Sequence, residues 1–277
     1  MTAMDALSVE LDDGHQRLRA GLMDQMRRFG ASAELVEYVG GLRLYLRAAY
    51  LLTVWLPEIE QRRRIAGHIA QHIVAMKLFD DLLDDDSGFE RFELALGLLL
   101  EQQSIARLAE LAEDANVVLG TVEESFVTIG TGQLRTKREP ATDIASWRTH
   151  ASTYGACFLG LYGDLAALAG RVPEAIRPAR EFGQGFGMLV TIADDLRDYE
   201  RHGERIGNLG HLLLTGRVSV EELRDLVEEM REFAYPTPEV ATVHDLRPIV
   251  DLYADDVLNR GLPLLFATAK RDGVVHA

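Results

Sequence analysis

The chain has 277 residues, 47% of them apolar, enough for a sizeable core in one large helical domain or two ordinary ones. Its formal net charge of −15 argues against nucleic acid as a partner, and an acidic protein that handles anionic substrates needs metal ions as intermediaries. The single cysteine, Cys157, excludes an intrachain disulfide and suits a reducing cytoplasm. Its apolar neighbours mark it as a structural thiol. No signal peptide is visible, and no apolar stretch reaches the roughly 20 residues of a membrane span. The expected location is therefore the cytoplasm, with peripheral contact at the inner face of a membrane as the most the chain allows.

Residues 1–33 are polar and are predicted to form a partly flexible segment around one amphipathic helix, His15–Phe29. A long helical pattern, Glu34–Trp55, carries Gly40-Gly41-Leu42-Arg43 and is stopped by Pro57. Arg43 and Arg47 lie four apart and share a face, as candidate anion ligands or surface arginines. The next predicted helix, Arg62–Asp86, ends in five carboxylates within seven residues: Asp80, Asp81, Asp84, Asp85 and Asp86. Helical spacing puts Asp80 with Asp84 on one face and Asp81 with Asp85 beside them. Like charges this close repel unless a cation neutralises them, and the C-terminal end of a helix disfavours negative charge. Hard carboxylate oxygens suit Mg²⁺, which is held by one or two carboxylates plus substrate phosphates. Lys77, one turn before Asp81, is an ion-pair partner or a phosphate ligand.

Phe92–Ala112 and Ala115–Thr131 read as core helices. Gly132-Gln133-Leu134-Arg135-Thr136-Lys137-Arg138 follows, with three cations in four residues, read as a solvated loop or, at a site mouth, as ligands for an anionic head group. Thr142-Asp143 opens a helix over Ile144–Gly170, where Gly155, Ala156 and Gly160 permit close helix approach or leave room for a ligand chain. Pro173 and Pro178 bracket a loop. Arg180–Asp198 is a helix in which Gly183, Gly185 and Gly187 suggest space for an apolar ligand, and it ends in a second cluster, Asp194-Asp195-x-x-Asp198. One such cluster is weak, but two, each closing an apolar helix and more than a hundred residues apart, point to a polymetal clamp for a diphosphate.

Tyr199–Asn208 reads as a loop over the site. Ser219 and Glu222 form a capping box for the helix Ser219–Phe233. Pro236–Pro248 reads as a loop with His244 on the surface, and Ile249–Lys270 as the last helix, whose Asp255-Asp256 pair lacks a third carboxylate. With no strand-like alternation, repeat or linker, the predicted fold class is all-α, one domain over residues 1–277.

These two Asp-rich helices resemble the trans-prenyltransferase, or isoprenoid synthase, superfamily. The resemblance implies a single-domain helical bundle around a deep apolar cavity, with Mg²⁺ bridging the motifs to an allylic diphosphate, and a homodimer. Gly40-Gly41-x-Arg43 and Gly132-Gln133 also match its landmarks. The departures are informative. Leu42 stands for the Lys of the chain-elongating members, Phe89-Glu90 for their Arg-Arg pair, Thr153-Tyr154 for Lys-Thr, Val190-Thr191 for Phe-Gln and Gly207-Asn208 for Gly-Lys. A pocket without those groups lacks the charge-assisted hydrogen bonds that hold a second diphosphate.

The segments Leu42–Arg47, Met76–Asp86, Gly132–Arg138, Trp147–Gly163, Ala193–Leu212 and Leu252–Leu258 are similar to the moenomycin-type prenyltransferases of phosphoglycolipid antibiotic biosynthesis. That resemblance implies geranyl diphosphate as donor and, as acceptor, a farnesyl chain on a phosphoglycerate lipid, giving a branched C25 moenocinyl chain. It implies Asp80, Asp84, Asp194 and Asp198 as catalytic metal ligands, with Asp81 and Asp195 as second choices. Arg43, Lys77, Gln133, Arg135, Lys137, Arg138 and Tyr154 are the substrate-binding candidates, and Tyr154, Tyr45 or the released diphosphate takes the last proton. Two other readings stay open: a class I terpene cyclase, and a non-catalytic subunit of a prenyl diphosphate synthase.

Overall fold

The computed structural model describes residues 3–83, 90–236 and 242–271. All of its regular elements are helical; no strand occurs among the described residues. The chain groups into two compact units. The first comprises residues 1–121, 162–179 and 239–245, and the second residues 122–161, 180–238 and 246–277. The backbone thus passes from one to the other five times.

The first unit is built on α4 (Ile59–Leu83). Ile65, Ala66, Ile69, Ala70, Ile73, Val74, Ala75 and Leu78 are all fully buried, so α4 is enclosed on most of its circumference rather than along one stripe. Around it lie α1 (Ala3–Arg28), α2 (Ala33–Gly41), α3 (Arg43–Leu51) and α5 (Leu94–Leu111). The N-terminal segment forms one helix, Ala3–Arg28. Leu7, Leu11, Leu18, Leu22 and Met26 form a buried stripe that outweighs the polar residues between them. Gly30, at φ 81°, ends that turn in a conformation that costs other residues strain. The helix expected over Glu34–Trp55 is broken at Leu42, which leaves the helical region and caps α2 through its amide to Val39 O.

One buried ion cluster ties this unit together. Glu10 on α1 accepts from Tyr50 Oη at 2.8 Å and Arg62 Nε at 2.9 Å, and its other oxygen meets His244 Nε2 at 2.7 Å. Arg62 also donates to the carbonyls of Leu56 and Pro57 at the turn before α4. His244 is therefore a largely buried tether of the returning segment and not the surface residue expected from sequence; the segment's Val243 amide also donates to Val54 O. Burial alone would raise the Glu10 carboxyl, but the bonds from His244, Tyr50 and Arg62 hold it below its ordinary value. A lowered carboxyl stabilises the fold above its unfolded-state pKa and ceases to do so as pH falls through the folded value. Glu10→Gln is expected to cost roughly 3 kcal/mol at pH 7, because it strands a buried arginine. Urea unfolding should show the difference from wild type shrinking below about pH 4.

In the second unit, α6 (Ala115–Arg138) brings in the chain. The cationic stretch expected as a loop forms the last turns of this helix, where the dipole favours Arg135, Lys137 and Arg138. Next come α7 (Ile144–Ala151), a π-helical turn at Ser152–Ala156 and α8 (Cys157–Gly170), together the predicted helix Ile144–Gly170 with one inserted bulge. α9 (Ile176–His202) runs beyond both predicted ends, and Pro178 is absorbed in its first turn. α10 (Leu209–Leu214), capped by Asn208, lies just beyond the stretch read as a loop. α11 (Val220–Phe233) has the predicted Ser219–Glu222 capping box. The last predicted helix is α12 (Arg247–Asp256) and α13 (Leu262–Arg271), joined by a π-helical turn at Val257–Gly261.

The glycines of α9 do not reserve ligand space. A Cβ on Gly183 would lie 2.3 Å from Leu159 O, one on Gly187 2.5 Å from Gly155 O, and one on Gly185 2.7 Å from the Ala234 side chain. Other backbone and side chains of the unit already fill the volume.

Candidate functional site

The described part of the first acidic cluster, Asp80 and Asp81, sits on the final turn of α4. Lys77 places its ammonium 2.9 Å from Asp80 Oδ2 and 2.6 Å from Asp81 Oδ1. Burial alone would lower the lysine, but Asp80 and Asp81 hold it above its ordinary range, so it remains a cation. Tyr38 on α2 donates its hydroxyl to the other oxygen of Asp81. Burial, then the bond to Asp81, pushes the Tyr38 phenol well up, so it stays a donor. Both oxygens of Asp81 are thus taken by protein donors, and its side chain is only 12% exposed, against 42% for Asp80. Asp80 is the open carboxylate of the pair. Asp84, with Asp85, Asp86 and Phe89, lies outside the described residues. Arg43 opens α3 and is exposed.

The second cluster repeats this division of labour. Asp195 Oδ2 accepts from Trp147 Nε1 at 2.7 Å and from the Leu209 amide at 2.8 Å, pinning α7 and the start of α10 to α9. Asn208 donates to Asp195 O at 2.8 Å while its own Oδ1 caps α10. Burial pushes the Asp195 carboxyl up to about 7, against the pull of these two hydrogen bonds. Asp194 faces Arg197 at 2.5 Å, and Asp198, one turn on, is partly buried.

Gly132 of α6 packs on the π-helical turn, where an added Cβ would meet Thr153 Oγ1 at 2.2 Å. Gly155 meets Thr191 in the same way, at 2.0 Å. Gly132-Gln133, Thr153-Tyr154 and the helix of the second cluster are therefore brought together. Burial raises the Tyr154 phenol, and the charges of Asp195 and Glu204 add to it, so Tyr154 is a neutral hydroxyl. Gln133, Arg135, Lys137 and Arg138 are all exposed, with Arg135 3.5 Å from Glu139.

Tyr38 and Trp147 were missed from sequence. A tyrosine or tryptophan on an apolar helix face carries no mark of the long-range partner its polar atom will find. Removing the Trp147 donor leaves a buried carboxylate with one bond fewer, so Trp147→Phe is expected to cost roughly 1–3 kcal/mol. The sign of the pH effect follows from the raised Asp195 carboxyl: its contribution is greatest near its unfolded-state value of 3.8 and is lost as pH rises to about 7. Asp195→Asn should flatten that slope, as read from metal-free urea unfolding at pH 5 and pH 8.

The donor set fits Mg²⁺. Asp80 and Asp194 offer hard oxygens, and each already neighbours a cationic side chain. Among the described residues no three His, Cys, Asp or Glu side chains form a metal cage. No described helix is long and apolar enough to cross a membrane.

No family model and no curated protein matches the sequence. Solved structures do. An FPP/GFPP synthase from Zymomonas mobilis has 17% identity, covering 99% of this chain and 100% of that one at a TM-score of 0.60. A heptaprenyl diphosphate synthase from Staphylococcus aureus has 16% identity, with 96% and 90% covered and a TM-score of 0.56. A polyprenyl synthase from Caulobacter crescentus, in complex with calcium and isoprenyl diphosphate, has 18% identity, with 97% and 89% covered and a TM-score of 0.52. The chain has the all-α fold of the isoprenoid synthases.

Proposed function

We propose that this protein is a Mg²⁺-dependent prenyltransferase that moves a geranyl group from geranyl diphosphate to the farnesyl chain of a phosphoglycerate lipid, forming a moenocinyl-type branched chain. The observation that carries the reading is the pairing in both acidic clusters. In each, one aspartate is fixed by an aromatic donor, and its neighbour, Asp80 or Asp194, lies beside a cationic side chain. Asp80, Asp84, Asp194 and Asp198 would hold Mg²⁺, which when bound neutralises the departing diphosphate as a Lewis acid.

What this chain lacks supports an unusual acceptor. Thr153 and Thr191 stand where the chain-elongating enzymes carry longer polar groups, and both hydroxyls donate to carbonyls of their own helix, at 2.8 and 2.9 Å. Asn208 is likewise spent on capping α10 and on Asp195. None of these is left to hold a second diphosphate. On this reading Arg43, Lys77, Gln133, Arg135, Lys137 and Arg138 supply the remaining polar contacts to donor or phosphoglycerate. Tyr154, kept neutral by burial, orients substrate as a donor, and the released diphosphate is the better base for the final proton. A deep apolar cavity would keep water from the carbocation.

We also propose a homodimer acting in the cytoplasm or at the inner membrane face. The exposed Leu98 of α5 and Leu119 of α6, both in the first unit, support the reading as apolar side chains that a partner copy would cover. Sedimentation velocity showing only monomer would remove the dimer. The reaction is tested by measuring diphosphate release from geranyl diphosphate with and without farnesyl-phosphoglycerate. Release that needs both Mg²⁺ and the acceptor is expected. Release of equal rate without acceptor would favour a cyclase, and no metal-dependent release would favour a non-catalytic subunit.

A further inference from the structure

A second feature of the first unit lies away from its acidic cluster. A cleft of about 280 Å³ opens between α1 and α4, close to the lower end of the roughly 300–1,000 Å³ of small-molecule sites. Two glycines make its floor. A Cβ on Gly21 would meet nothing within 4 Å, and one on Gly67 only Leu18 Cδ2 at 4.0 Å, so both open onto empty space where a larger side chain would fill the cleft. Leu18, Leu22 and Tyr50 add apolar wall. A third glycine, Gly14, lets the Tyr50 ring lie against α1, since a Cβ there would fall 2.5 Å from the ring.

One end of the cleft is charged, with Arg17 and Arg63 paired to the carboxylates of Asp13 and Glu60. Arg17 and Arg63 both line it and both hold Asp13 Oδ2, at 2.8 and 3.0 Å. Asp13 takes Arg17 through Nε and Arg63 through a terminal nitrogen, and the other terminal nitrogen of Arg63 goes to Glu60. The Nε–H of Arg63 is buried and has no acceptor among the described residues. A buried donor without an acceptor costs about 1–3 kcal/mol, which an oxyanion would recover. Gln25 and Gln71, hydrogen-bonded to each other at 2.7 Å, are polar groups elsewhere on the lining.

We propose that this cleft binds an anionic amphiphile: one oxyanion head, phosphate monoester or carboxylate, at Arg63 and Arg17, with a short aliphatic or prenyl chain over Gly21 and Gly67. The site is separate from the proposed diphosphate chemistry and stands or falls without it. The probe is octyl phosphate, titrated calorimetrically into the full chain, with octanoate in a parallel arm to rank the two head groups. One-to-one binding is expected. Gly67→Leu should weaken it at least about tenfold by filling the cleft, and Arg63→Met by a similar factor through loss of the head-group donor. Inorganic phosphate and octanol should each bind at least about tenfold more weakly than octyl phosphate. Asp80→Asn should leave the affinity unchanged. Because Gly67→Leu could shift α4, Gly21→Leu fills the same space from α1, and both should melt no lower than wild type. Absence of octyl phosphate binding would overturn the proposal. So would binding that survives both glycine substitutions, or that Asp80→Asn weakens, since the probe would then occupy the acidic site.

Discussion

Asp80→Asn and Asp194→Asn are each expected to lower Mg²⁺-dependent turnover of geranyl diphosphate by at least about a thousandfold, which is about 4 kcal/mol of barrier. Each change removes one negative charge from a partly exposed carboxylate, while the helix around it keeps its packing. The informative contrast is with Asp81→Asn. That residue is bound by Tyr38 and Lys77 and is nearly enclosed, so its carboxylate orients neighbours more than it reaches a metal. Its asparagine retains an acceptor for Tyr38, and the loss should be smaller, about tenfold. Equal loss at Asp80 and Asp81 would mean that the two carboxylates act as one ligand pair. Steady-state kinetics at saturating Mg²⁺ separates the cases, and the melting temperature of each variant checks that the fold is intact.

Gly183→Ala is expected to be the most damaging glycine-to-alanine change among the described residues. Its Cβ would sit 2.3 Å from Leu159 O and 3.0 Å from Gly160 Cα, so the obstacles are backbone and cannot turn aside as a side-chain tip can. Overpacking of this kind costs about 3 kcal/mol, enough to lower the melting temperature by roughly 6–12 °C in a chain of this size. Gly120→Ala on α6 is the control. Nothing lies within 4 Å of its Cβ, and relief of helical glycine should stabilise by up to about 1 kcal/mol. If Gly183→Ala melts like wild type, α9 has room the structure does not give it.

The elements written into the sequence by periodicity and local chemistry were the ones it announced. The all-α class, the Ser219 capping box and the helical run from Ile144 follow from spacing and short-range hydrogen bonding. What escaped depends on partners far along the chain. Leu7 and Leu11 look like isolated apolar residues among charges until they meet the rest of the unit, which is why α1 extends to Ala3. Glycine is ambiguous in sequence: Gly183 and Gly187 abut other helix backbones, whereas Gly21 and Gly67 border empty space, and only the neighbours tell the two apart. The same holds within the clusters. Adjacent aspartates are identical on paper, yet Tyr38 and Trp147, 43 and 48 residues away, make one of each pair an anchor.

The most direct test of the proposed chemistry is mass analysis of the lipid product formed by purified protein with Mg²⁺, geranyl diphosphate and farnesyl-phosphoglycerate. The expected result is a branched C25 chain on the phosphoglycerate, formed only when metal, donor and acceptor are all present and absent with Asp80→Asn. A free monoterpene formed equally well without the acceptor, or an acceptor recovered unchanged while diphosphate is released, would contradict it.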